Sequence, residues 1–212
     1  MNDNLCEVCE PNFNLARVKA YELLLMQKDA FIGMRPEKIT VPNKTFIFDS
    51  FQNYSNLTNI KLSELNANGK IKLGLHVNLN DDVYLILHNE EINSSRCKDW
   101  TKIHEIGHIY LKHEIDTDKE EIETNFFASC FTMPDVIIKY FRSQGYTVDH
   151  DFLTRYFYVS DEAATKKIET LSKYVYIPRT KYDNQVINLL HDSIHEIMDR
   201  IDNPSLDLRY VY

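Results

Sequence analysis

Apolar residues recur at helical spacing from Asn14 to Asp29, at Leu15, Val18, Tyr21 and Leu25, which predicts an amphipathic helix lying on a sheet. Met34-Arg35-Pro36 halts any helix before it. From Thr45 to Asn89 the period drops to two. Phe46 and Phe48 alternate; Ile71, Leu73, Leu75 and Val77 follow Gly69; Val83, Leu85 and Leu87 follow Asn80-Asp81-Asp82. The last two runs read as an antiparallel hairpin, while Leu57 to Leu65, rich in Asn and Ser, reads as a connector able to line a cleft. Helical spacing returns from Asp99 to Lys112 and from Asp118 to Met133. Beyond Pro134 it continues from Val136 to Arg142, breaks at Ser143-Gln144-Gly145, and resumes between Phe152 and Leu171 as two helices around Val159-Ser160, with Ser160 as an N-cap. A further helix is expected from Asp183 to Ile201, with Val186, Leu190, Ile194, Ile197 and Ile201 on one stripe.

The helix from Asp99 contains His104-Glu105-Ile106-Gly107-His108, an H-E-x-x-H run. Positions i and i+4 share a helical face, so His104 and His108 can offer imidazole nitrogens to one zinc ion with Glu105 beside the attacking water. Hydrolytic zinc takes three protein donors and keeps one position open, so a third donor is expected within a few dozen residues. In the segment Asp118 to Met133, Glu123 lines up with Phe126, Phe127 and Cys130, and a carboxylate facing a core calls for a cation or a proton. The alternative is an acidic cluster favouring the helix N-terminus: Asp118, Glu120, Glu121 and Glu123. Glu120 and Glu121 are read as solvated, with Glu121 turned nearly opposite to Glu123. Asp99 and Asn125 are candidates for orienting an imidazole.

The run Asp99 to Ile109, followed by Glu123-Thr124-Asn125-Phe126-Phe127-Ala128 and Thr132-Met133-Pro134, resembles the ImmA/IrrE family of metallopeptidases, which shows H-E-[LI]-G-H, then E-A-N-x-F-A, then L-M-P. The likeness extends from the strand Val83 to Asn89 down to about Leu171. It departs at Thr124, where the family prefers alanine, and at Thr132, where it prefers leucine. The resemblance implies that His104, His108 and Glu123 ligate zinc and that Glu105 is the catalytic base. It also implies site-specific cleavage of helix-turn-helix repressors of phages and mobile elements. In such chemistry zinc lowers the pKa of water from about 15.7 toward about 7, and Glu105 takes the proton and returns it to the leaving amine.

A second pair, His191 and His195 with Asp192 between them, has the same i,i+4 spacing, but both histidines lie off the apolar stripe and no carboxylate helix follows. Leu153 to Leu171 has the look of a helix-turn-helix. Its second helix mixes Asp161, Glu162 and Glu169 with Lys166 and Lys167, so it lacks a basic face for phosphates, and a packing role is expected. The net charge of −8 over 212 residues likewise disfavours nucleic acid and anionic membranes as partners. Neither a long apolar run nor a signal peptide is evident, which leads to a cytoplasmic expectation. Cys6 and Cys9 form a C-x-x-C without a second one, and the four cysteines read as free thiols.

The expectation is therefore an α+β, zincin-like fold with a small antiparallel sheet. Residues 1–135 would form the metallopeptidase core, and residues 136–212 a helical part packed on it, with the tail from Tyr174 docking on the domain or a partner. The expected strand beside the metal helix would let an extended protein substrate bind by strand addition.

Overall fold

The computed structural model describes residues 10–65, 73–114, 117–173 and 179–203. Cys6, Cys9, Ile71 and the start of the tail at Tyr174 lie outside the described residues. In chain order the elements are α1 (Phe13–Leu25), a 3-10 turn (Pro36–Lys38), β1 (Thr45–Ser50), α2 (Phe51–Thr58), α3 (Leu62–Leu65), β2 (Gly74–Asn80) and β3 (Val83–His88). Among the described residues seven helices follow: α4 (Ser95–Leu111), α5 (Asp118–Thr132), α6 (Asp135–Ser143), α7 (His150–Tyr156), α8 (Asp161–Lys173), α9 (Asp183–Leu189) and α10 (His191–Asp202).

Short polar side chains set the helix starts. The Ser94 hydroxyl accepts from the Cys97 N–H, so α4 begins at Ser95, a turn ahead of the expected Asp99. Thr117 and Glu120 form a reciprocal capping box at the start of α5, which gives Glu120 a local task. Ser160 accepts from the Ala163 N–H and starts α8, as expected. The expected helix from Asp183 to Ile201 is divided at Leu190 into α9 and α10.

The sheet is mixed, in the order β1-β3-β2. β2 and β3 form the expected antiparallel hairpin, with a register irregularity between Asn78 and Asn80 beside the turn. β1 pairs with β3 in parallel, because the chain crosses over through α2 and α3 before the hairpin returns it; the wholly antiparallel expectation is corrected on this point. The strand leading into α4 is thus central. Its Val-Tyr-Leu-Ile-Leu run is covered on both sides: Leu85 and Leu87 pack with Phe51 of α2, and Ile86 faces the main core. The edge strand beside α4 is β2.

One cluster of buried side chains runs from Ala16 on α1 through Ile106, Phe127 and Phe141 to Ile197 on α10. It therefore crosses residue 135, where the metallopeptidase core was expected to end. At this junction Asp135 is buried between Lys167 of α8 at 2.6 Å and Arg17 of α1 at 3.1 Å. Burial pushes the Asp135 carboxyl up, but the two cations outweigh it and hold it below the usual carboxylate range. No helix among the described residues is long and apolar enough to cross a membrane.

Asp135→Ala leaves two buried cations without their anion and is expected to cost about 3–5 kcal/mol in urea unfolding. Lys166→Ala on the exposed face of α8 should stay within about 0.5 kcal/mol. Because the folded-state pKa of Asp135 is depressed, its contribution is present above the unfolded carboxyl value of about 3.9 and fades as pH falls through the lowered one.

Candidate metal centre

α4 and α5 meet at Gly107. A Cβ there would fall 2.9 Å from both Thr124 Cγ2 and Phe127 Cδ1, so the glycine lets the two helices approach side by side. Thr124, Ala128 and Phe131, spaced i, i+4 and i+7, are all buried. Glu121 precedes Thr124 by one turn, and this carries its carboxylate over the histidines of α4.

The result is a compact set of donors. His104 Nε2 and His108 Nε2 lie 3.0 Å apart. Glu121 Oε2 lies 3.3 Å from the first and Oε1 3.4 Å from the second. Among the described residues, these three form the group able to hold a metal ion. The two imidazole nitrogens lie 3.0 Å apart and each has one Glu121 oxygen within 3.4 Å, spacings short enough for nitrogen and oxygen donors to share one cation at about 2.0–2.1 Å. The residues present therefore fit a cation. Hydrogen bonds from His104 and then His108 hold the Glu121 carboxyl far below its ordinary range, so it stands ionised.

Glu123, expected as the third donor, is not in this group. It does lie on the apolar stripe of α5, but the neighbour that stripe meets is α1. Phe126 packs edge-on against Phe13 at 4.9 Å, the Arg17 guanidinium lies over the Phe126 ring, and Glu123 Oε1 accepts from the Asn12 N–H at 2.6 Å. Two residues of helix are a rotation of about 200°, so Glu121 and Glu123 serve different neighbours.

His113 reaches the site through the end of α4. Lys112 is left-handed at φ 61°, the His113 N–H bonds the His108 carbonyl at 3.0 Å, and the Lys112 N–H bonds that of Ile109 at 3.3 Å. This Schellman arrangement folds His113 back onto His108. The two Nδ1 atoms are 3.2 Å apart, and His113 Nε2 is 3.2 Å from Glu123 Oε2. Burial and the neighbouring His108 lower the His113 pKa despite the carboxylate.

Glu105 is buried on α4, and its Oε2 is 2.8 Å from His76 Nδ1 on β2. The His76 ring stacks on His108 with centroids 5.8 Å apart. Gly74 makes room here, since a Cβ on it would collide with Thr101 and come within 3.0 Å of Glu105 Oε1. A cleft of about 280 Å³ opens beside these groups, lined by Leu73, Leu75, Trp100 and Asn125 as well as the donors. The Asn89 N–H bonds the Leu73 carbonyl at 3.0 Å, so by alternation the peptide groups of Gly74, His76 and Asn78 point away from β3, to an edge that no strand among the described residues pairs with.

Of the orienting candidates, Asn125 borders the cleft but spends its amide on the Glu121 carbonyl, and Asp99 faces Arg35 instead. His191 and His195 are exposed, as expected. Sequence reasoning read Glu121 as solvated and did not place His76 or His113 beside the histidines of α4. The spacing of Glu121 from Thr124 was available as a signal, whereas His76 arrives by non-local packing and His113 by a left-handed cap at a lysine.

Two histidines one turn apart, a carboxylate from the next helix and a buried glutamate beside them form a group that could hold a metal ion on an α+β scaffold. A family model described as the IrrE N-terminal-like domain, peptidase family M78, matches residues 57–169, more than half of the chain. The protein belongs to this ImmA/IrrE family, which is of metallopeptidase type. No individual curated protein matches the chain.

Gly107→Ala is expected to force α4 and α5 apart and lower stability by about 1–3 kcal/mol in chemical unfolding. Gly145, whose Cβ position is open, offers a control for the steric part, although its positive φ of 92° adds a backbone cost of its own.

Proposed function

We propose that the protein is a zinc-dependent, zincin-type endopeptidase in which His104, His108 and Glu121 hold the metal and Glu105 is the general base. The observation that carries this reading is the convergence of two Nε2 atoms and a carboxylate within 3.4 Å of one another. The cleft opens beside that convergence. Zinc bound there supplies Lewis acidity, which makes water nucleophilic near neutral pH and polarises the scissile carbonyl.

The chain's own residues account for the rest. Glu105, buried and anchored by His76, takes the proton of the attacking water and delivers it to the departing amine. Ionised Glu121 leaves a single positive charge for the site to balance. The free edge of β2 supports binding of an extended segment of a protein substrate through the peptide groups of Gly74 and His76. The family resemblance makes an intracellular helix-turn-helix repressor of a mobile element the proposed substrate. A DNA-binding reading of α7 and α8 is disfavoured, because Lys167 is spent on Asp135 inside the protein.

Glu105→Gln should retain zinc by metal analysis while losing nearly all hydrolysis. Mapping new protein N-termini in cells expressing either form provides the check: a small set made by the wild type and absent with Glu105→Gln is expected. Equal cleavage by both, or none by the wild type, would overturn the assignment.

A further inference from the structure

We infer that His113 is a positioning residue for His108, and that Glu123 anchors it, so that the site carries a relay of two imidazoles ending in a buried carboxylate. This rests on the reading of His104, His108 and Glu121 as metal donors. A neutral imidazole that gives Nε2 to a cation keeps its proton on Nδ1 and needs an acceptor there. His108 Nδ1 has His113 Nδ1 at 3.2 Å and Thr124 Oγ1 at 3.4 Å.

The proton that a metal-bound His108 keeps on Nδ1 sets the direction of the links. Thr124 donates its hydroxyl to the Glu120 carbonyl at 2.8 Å, so towards the imidazoles its oxygen only accepts. His113 Nδ1 lies 3.2 Å from His108 Nδ1 and 3.1 Å from Thr124 Oγ1; with His108 Nε2 given to a cation, the His108 Nδ1–H meets its nearest acceptor when His113 carries its own proton on Nε2. The remaining His113 proton is then on Nε2, pointing at Glu123 Oε2 at 3.2 Å. Glu123 Oε1 is taken by the Asn12 N–H. The His113 and Glu123 side chains are only 9% and 8% exposed, so water competes little for either link. The relay fixes the tautomer and ring plane of His108 and raises its basicity toward a cation.

The test uses the full chain, stripped of metal and titrated with Zn²⁺ against a chromophoric chelator, with the Co²⁺ absorption spectrum reporting the donor set. His113→Leu should weaken Zn²⁺ binding about 10–100-fold. His113→Asn has the same shape but puts an acceptor near Nδ1, and should recover most of that loss. Glu123→Gln should weaken binding less than Glu121→Gln, and the Co²⁺ band should keep its shape in the His113 and Glu123 variants. Thermal unfolding identifies any variant that fails to fold, and the Asn and Gln variants then carry the comparison. Equal affinity of wild type and His113→Leu, or equal losses with Leu and Asn, would overturn the relay alone. A wild type that takes up no Zn²⁺ would overturn the metal centre, and the relay with it.

Discussion

The close contact of α4 with α5 at Gly107 is the constraint on which the site depends. Only where a Cβ is missing can Thr124 and Phe127 lie directly on the histidine-bearing helix, and only at that separation does a carboxylate one turn earlier span to both imidazoles. The helix ends add to the effect. Glu121 is in the first turn of α5, whose dipole favours an anion, and His108 is in the last turn of α4, where positive charge is favoured. The two helix ends thus favour opposite charges where α4 meets α5.

Around this contact the rest of the fold acts as a brace. α1 lies along the opposite side of α5 and engages Glu123 through a backbone N–H, while Asp135 joins α1 to α6 and α8. The helical C-terminal part is therefore not an appendage in the packing sense: Leu190, Ile194 and Ile197 share one core with Ile106 and Phe127. On the other flank, β2 approaches α4 closely enough at Gly74 to hold Glu105 between strand and helix.

Most of the secondary structure was legible because it is locally encoded. The hairpin followed from alternation around Asn80-Asp81-Asp82, and α4 and α5 from their periodicity. The parallel partnering of β1 was not legible, since pairing across a crossover leaves no local mark. The H-E-x-x-H histidines were read directly, whereas Glu123, expected as the third donor, lies against α1 and Glu121 lies beside the histidines. An apolar stripe says that a helix face is covered, but not by which element. Glu123 and Glu121 both face something, and only tertiary packing distinguishes α1 from α4. His113 was hidden for another reason: a left-handed cap usually announces itself with glycine, and here the position is Lys112.

The outer margin of β2, unpaired among the described residues, carries a liability along with its opportunity. Unpaired strand margins invite identical chains to zip together, and this one is seven residues long, ends in a register slip, and carries Asn78 and Asn80 at its outer end. Those traits cap the number of backbone bonds that any added strand can make with it. Each strand laid on it can therefore gain only a few backbone hydrogen bonds before the irregularity, enough to hold a short stretched segment but a weak start for self-association.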